Sequence, residues 1–229
     1  RGGAGLVTLF APKSMWKTFH GLWPEVILAE PDSIDPSRHD VIVVGPGLGT
    51  SDCETVCDLW STYPGAVVAD ADAINVLAVA STNPSTQFPR LLTPHTAEAA
   101  RLLGVTRAQV ESNRMASIAA LGDIAPSILK GPHTLIAASE CIWVNPTGSN
   151  RLATAGTGDV LAGMVGGYLA AGTTPEQALA IAVWDHGLAG TSMPPQGTAT
   201  DLLMALQAPH HSHSSVFPEG RPRPQHPAT

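Results

Sequence analysis

A three-layer α/β fold around a mostly parallel sheet is what this sequence predicts, on three observations. Short apolar runs alternate with helical stretches along the whole chain. Runs such as Val41–Val44, VIVV, lack the polar alternation of a half-exposed strand, as expected where both faces are buried. Glycine and polar residues gather where the runs stop, and in a parallel sheet ligands bind beyond the carboxyl ends of the strands.

The elements follow in order. RGGAGLVTLFAP reads as the end of a helix feeding a strand at Leu6–Phe10, so upstream sequence is expected to be missing. Val41–Val44, Val67–Ala69, Leu91–Leu92 and Ile128–Leu129 are the next candidate strands. Leu135–Ala137 and Cys141–Val144 read as a pair joined by a tight turn. Between them, Ile74–Ala80 is a helix after the DADA turn, and Ala97–Leu103 is one that ends at Gly104. Thr106 and Gln109 form a capping box for the next. Val160–Leu169 has apolar residues at helical spacing and stops at Gly172. Thr173 and Glu176 are expected to box the last long helix, with Pro175 in its first turn and an end near Gly190. One domain is expected over residues 1–207, and residues 208–229, rich in Pro, His and Ser, read as a disordered tail whose histidines are incidental.

Composition removes several classes of function. A net charge of −7 supplies no basic face for a nucleic acid, so phosphate recognition has to be local, by backbone amides and a lysine. No apolar run is long enough to span a bilayer, and no signal peptide is visible. Cys53, Cys57 and Cys141 make no zinc pattern and read as reduced thiols of a cytoplasmic protein.

Asp159 is the single acid in ATAGTGDVLAG, where a glycine-rich turn meets an apolar helix. An acid in a first helical turn gains about 0.3–1 kcal/mol from the helix dipole. Yet Gly156-Thr157-Gly158 leaves three amides without bulky cover, aimed where an anion would sit. A decorative carboxylate would repel that anion. An acid there is useful if it takes a proton from a group about to meet a phosphate, so the placement favours a general base.

Other strand ends carry further candidates. Lys130, in LKGPHT, is either a solvated strand-end lysine or a phosphate contact assisted by the Gly131 amide. His95, in LLTPHTAE, either hydrogen-bonds within its loop or meets substrate; Pro94 fixes the turn. Thr96 is the expected cap of the following helix, and Glu98 reads as complementing the helix start rather than bracing the loop. Gly45, Gly47 and Gly49 mark either a tight turn or a close approach of backbone to ligand. Their spacing is not a dinucleotide fingerprint, and no Walker motif occurs. Of Asp70 and Asp72, one is a candidate to organise Mg2+ through water, while Asp72 more simply makes a turn and cap.

Taken together, VVGPGLG, DADAIN, LTPHTAEAARLLG, LKGPHT, NPTGSNRLATAGTGDVLAG and HGLAG resemble the ADP/ATP-dependent NAD(P)H-hydrate dehydratases, the carbohydrate-kinase-related branch of the ribokinase-like fold. The resemblance runs in order from Arg1 to about Leu206. GTGD alone is shared with many ribokinase-like kinases; the TPH loop with LATAGTGDVLAG is more specific. The resemblance implies nicotinamide nucleotide repair: the hydroxyl of the S-epimer of NADH hydrate or NADPH hydrate is phosphorylated, and phosphate then leaves to restore NADH or NADPH. It implies ADP as cosubstrate in bacterial members, giving AMP and phosphate, and ATP in eukaryotic ones, with Mg2+ on the nucleotide and no metal ligated by the protein. Asp159 is implied as the base and, with Gly47 and His95, as a contact of the hydrate. Lys130, Gly131, Thr134, Ser149, Ala155, Gly156, Thr157 and Gly158 are implied as nucleotide contacts. A homo-oligomer and a functional link to an NAD(P)H-hydrate epimerase are implied as well.

Three departures from the family pattern stand out. Thr96 and Ala97 replace the proline and glycine of the usual TPHPGE loop. Trp184-Asp185 precedes HGLAG where apolar or small residues are more usual. The usual N-terminal strand and glycine-rich loop are absent. That absence is expected to expose a strand edge, open one wall of the site and leave the chain less stable and less active than one extended upstream. Two further readings remain: a small-molecule kinase of the same fold, such as a hydroxyethylthiazole or hydroxymethylpyrimidine kinase, and a truncated fold that binds nucleotide without turnover.

Overall fold

The computed structural model describes residues 2–20, 23–33, 35, 38–49, 52–80, 82–85, 87–138 and 141–206. Eight strands run in order among them: β1 (Thr8–Phe10), β2 (Ile27–Ala29), β3 (Val41–Val44), β4 (Ala66–Ala69), β5 (Arg90–Leu92), β6 (Ser127–Leu129), β7 (Leu135–Ala138) and β8 (Cys141–Val144). β1 and β2 form a small parallel pair of their own. The other six make one sheet in sequential order, parallel from β3 to β6 and antiparallel from β6 to β8. The helices are α1 (Lys13–His20), α2 (Cys53–Thr62), α3 (Ala71–Ala80), α4 (Thr96–Leu103), α5 (Arg107–Ser112), α6 (Arg114–Ile124), α7 (Thr157–Ala170), α8 (Pro175–Ser192) and α9 (Ala199–Ala205). The proposed tail at 208–229 lies outside the described residues.

Side-chain alternation divides the sheet into two apolar faces. Val68, Leu91, Ile128 and Ile136 point to one face and pack with α7, α8 and α9. Their neighbours Val67, Ala69 and Leu92 meet α2 and α3, and Leu129 and Leu135 meet α4, α5 and α6. Both faces are therefore covered, which is why β4 reads as a continuous apolar run. β3 departs from that expectation. It pairs with β4 on one side only among the described residues, and Val43 is 38% exposed.

The helix ends show where spacing succeeds and where it slips. Thr106 and Gln109 make the expected box on α5. The box on α8 is one residue later than expected, at Thr174 and Gln177. Thr173 is already engaged at the end of α7, where its amide donates to Tyr168 O while the Gly172 amide donates to Leu169 O. That paired closure, with Gly172 at φ 91°, ends α7 and hands the capping position to the next threonine. Pro175 then falls at the first position of α8, where its fixed φ suits the helix.

Arg90 holds the end of α2. It is 3% exposed, and its guanidinium donates to the carbonyls of Trp60 (2.5 Å), Tyr63 (2.7 Å), Gly65 (2.7 Å) and Pro89 (2.9 Å). Burial pushes its pKa down, but an arginine with four carbonyl partners stays charged. Arg90→Met, which keeps the stem and removes the donors, leaves those carbonyls short of partners. It is expected to lower unfolding free energy by about 3 kcal/mol or more, measured by urea denaturation.

Candidate active site

Hydrogen bonds tie the loops after the parallel strands to one another across the sheet edge. The Asp70 amide donates to Val44 O, the Thr93 amide to Ala69 O, and the Lys130 amide to Pro94 O. The Gly45–Gly49 turn is bound in as well, because the Gly49 amide donates to Asp72 Oδ2 at 2.9 Å. Asp72 thus makes the turn contact expected of it, although it lies inside α3 rather than ahead of it. Gly45 adopts φ 121° against the Asp70 carbonyl and Ala73, so no side chain fits there. Gly47 is exposed at the tip of the same turn.

Asp70 is 1% exposed, and a buried carboxylate needs a partner. Lys130 supplies it, with Nζ at 2.7 Å from Oδ1. The same ammonium stands 3.9 Å from Glu98 Oε2 and lies close beside Gly158, where an added Cβ would be 3.3 Å from Nζ. Lys130 is therefore no solvated strand-end residue. Asp70 is occupied by this ion pair, and among the described residues no group of three or more His, Cys, Asp or Glu residues is placed to hold a metal ion.

His95, not Thr96, caps α4. Its Nδ1 accepts from the amides of Ala97 and Glu98, both at 3.1 Å. Glu98 returns the contact by accepting from the His95 amide at 2.7 Å. With Nδ1 accepting, the ring proton of a neutral imidazole sits on Nε2, 3.2 Å from Glu98 Oε1. Glu98 thus braces the loop and links His95 to Lys130, a larger role than the sequence suggested. The histidine remains half-exposed, with 52% of its side chain open to solvent.

The glycine-rich segment is built from its hydroxyls outward. Ser149 caps a short 3-10 turn over Asn150–Leu152 and donates to Gly190 O at 2.8 Å. Arg151 donates to the carbonyls of Thr191 and Met193 at the end of α8. The chain then turns through Ala155 and Gly156, which takes φ 86° as the residue before α7. Thr157 is buried, and its hydroxyl lies 2.7 Å from Leu152 O and 2.8 Å from Thr154 O. Its amide reaches Thr154 O at 3.3 Å, so of the three amides expected to face an anion this one has an internal partner. The amides of Gly158 and Asp159, second and third in α7, have no intrahelical acceptor by position.

Asp159 is exposed in the first turn of α7. Partial desolvation and the nearby Asp70 charge raise its pKa above the ordinary carboxylate range, while Lys130 pulls it back. The structure thus gathers Asp159, Gly158, Lys130, Asp70, Glu98 and His95 into one cluster. Gly131 and Thr134 adjoin it: Thr134 Oγ1 donates to Gly131 O at 3.0 Å, and the Arg114 guanidinium donates to Leu129 O (3.1 Å) and Lys130 O (3.5 Å). Arg114 carried no local signal, since it opens a helix sixteen residues away in sequence.

A family model described as NAD(P)H-hydrate dehydratase matches residues 1–209. The chain belongs to the NAD(P)H-hydrate dehydratase family. It is 41% identical over 199 residues to the ADP-dependent (S)-NAD(P)H-hydrate dehydratase of Neisseria meningitidis serogroup B, covering 82% of this chain and 67% of that protein. It is 38% identical over 202 residues to the bifunctional NAD(P)H-hydrate repair enzyme Nnr of Gloeobacter violaceus, covering 82% of this chain but only 40% of that protein. Among solved structures, an ADP/ATP-dependent NAD(P)H-hydrate dehydratase from Bacillus subtilis co-crystallized with ATP/Mg2+ superimposes with a TM-score of 0.76 at 26% identity, covering 89% of this chain and 79% of that one. A ribokinase-like superfamily protein from Enterococcus faecalis matches with the same TM-score, 0.76, at 27% identity, covering 90% of this chain and 76% of that one. The fold of this dehydratase family member is accordingly ribokinase-like. Among its described residues no helix is long and apolar enough to cross a membrane.

The capping role of His95 is testable by substitution. Asn caps helices well and keeps a short acceptor, whereas Ala does not. His95→Ala is expected to cost about 1 kcal/mol of stability and His95→Asn about half of that or less, compared by urea midpoints.

Proposed function

We propose that this chain dehydrates the S-epimer of NADH hydrate and NADPH hydrate with ADP as cosubstrate, giving NADH or NADPH, AMP and phosphate. The observation that carries the proposal is the position of Asp159. It sits in the first turn of α7 with the Lys130 ammonium against Gly158, in a chain of this family.

Hydroxide is a poor leaving group from the reduced ring, and phosphate is a good one. Asp159 takes the proton of the ring hydroxyl as its oxygen attacks the terminal phosphorus of ADP, and AMP departs. The amides of Gly158 and Asp159 and the Lys130 ammonium face the charge that builds on the transferred group. The ring nitrogen then pushes its lone pair toward the carbon that bears the oxygen, the carbon–oxygen bond breaks, and inorganic phosphate leaves. The adjacent ring carbon loses a proton to form the ring double bond, and Asp159 releases its proton to solvent. Gly47 and His95 are assigned to the hydrate, and Gly131, Thr134, Ser149, Ala155, Gly156 and Thr157 to the nucleotide. Mg2+ would arrive on the nucleotide phosphates and neutralise part of their charge. Asp70 is held by Lys130.

The activity domain is assigned to residues 1–207, in the cytoplasm, as a homo-oligomer working with an NAD(P)H-hydrate epimerase that interconverts the two substrate epimers. Cys53, Cys57 and Cys141 are in no disulfide among the described residues, which suits that compartment.

The test starts from NADH hydrate, Mg2+ and ADP or ATP and follows recovery of reduced-nicotinamide absorbance. Wild type is expected to restore it, and Asp159→Asn to lose about 10²- to 10⁴-fold in rate. A stable phosphorylated product in place of NADH would instead make the protein a kinase. The pH profile tests the electrostatics. Activity is expected to rise with pH as Asp159 loses its proton. Asp70→Asn removes a like charge and moves that rise to lower pH, whereas Lys130→Met removes the opposing cation and moves it to higher pH.

A further inference from the structure

We propose that His186 is a positioning residue of this site, holding the first turn of α7, and with it Gly158 and Asp159, by a hydrogen bond from its ring to the Thr157 carbonyl. The proposal rests on the dehydratase reading for its activity arm and on the geometry alone for its binding arm.

His186 lies on α8, 8% exposed, with Nε2 2.8 Å from Thr157 O. A carbonyl only accepts, so this nitrogen carries the proton. Burial lowers the histidine's pKa and Lys130 adds to that effect, against the pull of the Thr157 bond. The ring is therefore neutral, with the proton on Nε2. Thr157 is held at every polar group: its hydroxyl reaches Leu152 O and Thr154 O, its amide reaches Thr154 O, and its carbonyl receives His186. The next two residues are the amide of Gly158 and the carboxylate of Asp159.

The rest of HGLAG serves the same docking. A side chain at Gly187 would overlap Thr147, and a Cβ at Gly190 would lie 2.5–2.7 Å from Leu152. Those two glycines let the segment before α7 lie directly on α8. Four side chains secure it there through five polar contacts: Asn145 Nδ2 to Val183 O (3.4 Å), Thr147 Oγ1 to Trp184 O (3.1 Å), Ser149 Oγ to Gly190 O, and Arg151 to Thr191 O and Met193 O. All of these seat the segment 145–152. His186 reaches past it to the first turn of α7, beside Asp159. The unexpected Asp185 has a separate task, accepting from the buried Tyr168 hydroxyl at 2.5 Å and tying α8 to the middle of α7.

The experiment compares His186→Leu, which fills the space without a donor, with His186→Gln, which restores an N–H donor. Turnover of NADH hydrate with Mg-ADP, KM for the hydrate, and urea midpoints are measured on all three proteins. His186→Leu is expected to lose about tenfold or more in kcat, with KM within about threefold and the urea midpoint little changed. His186→Gln is expected to recover to within about threefold of wild type. A leucine variant that keeps its kcat, or a glutamine variant that falls as far as leucine, overturns the proposal. If wild type itself fails to turn over hydrate, the dehydratase reading fails and the binding arm decides. There, calorimetric affinity for Mg-ADP is expected to drop about tenfold in His186→Leu and return in His186→Gln, and equal affinities in all three proteins overturn the positioning role.

Discussion

The ion pair between Lys130 and Asp70 fixes the arrangement of the site. A carboxylate that is 1% exposed keeps its charge only with a partner, and stripping one partner from such a pair costs about 3–5 kcal/mol. The pair therefore does more than attract. It joins the end of β4 to the end of β6 across β5, and the loop between them is confined as a consequence. Pro94 accepts from the Lys130 amide, Glu98 faces the Lys130 ammonium, and His95 is capped and oriented by Glu98. The ammonium is then fixed against Gly158, at the start of the helix that bears Asp159.

In its proposed role as the base, Asp159 faces two opposing demands. A base must be unprotonated at working pH yet basic enough to accept a proton. Desolvation and Asp70 make it more basic; Lys130 keeps it ionised. Because Lys130 is itself shared with Asp70, its pull on Asp159 is moderated rather than full. A lysine without Asp70 would hold Asp159 as a weaker base, and Asp70 without the lysine would leave a buried charge unpaired. The three groups work as one electrostatic unit.

The layers of the fold were legible in the sequence because they follow from local spacing. Short apolar runs without polar alternation marked β4 to β7, and Gly104 and Gly172 marked the ends of α4 and α7. The failures were equally physical. Thr173–Glu176 and Thr174–Gln177 both satisfy the capping pattern, and the choice between them was made by the closure of the preceding helix, which consumes Thr173. Thr96 looked like a cap because threonine usually is one, yet the glutamate three residues after His95 already marked the histidine as the capping position. The loops bearing Asp159, Lys130 and His95 were visible as strand-end or helix-start positions. The ion pair of Lys130 with Asp70, sixty residues apart, and the seating of His186 on Thr157, twenty-nine apart, were not, because no periodicity reports a contact across layers.

The remaining question is how a chain of net charge −7 draws in an anionic nucleotide. Lys130 contributes little net charge, since Asp70 offsets it. Arg114 and Arg151 differ: both are oriented by backbone carbonyls, although Arg114 also has the Glu111 charge nearby. Arg114 lies against Gly131, where the Lys130 loop turns, and Arg151 lies in the segment that leads into Gly156. Added to these are the unpaired amides at the start of α7, which favour negative charge within their first turn. In the proposed nucleotide site, positive charge would thus come from groups already committed to holding the loops in shape, so substituting one is expected to loosen its loop as well as weaken phosphate binding.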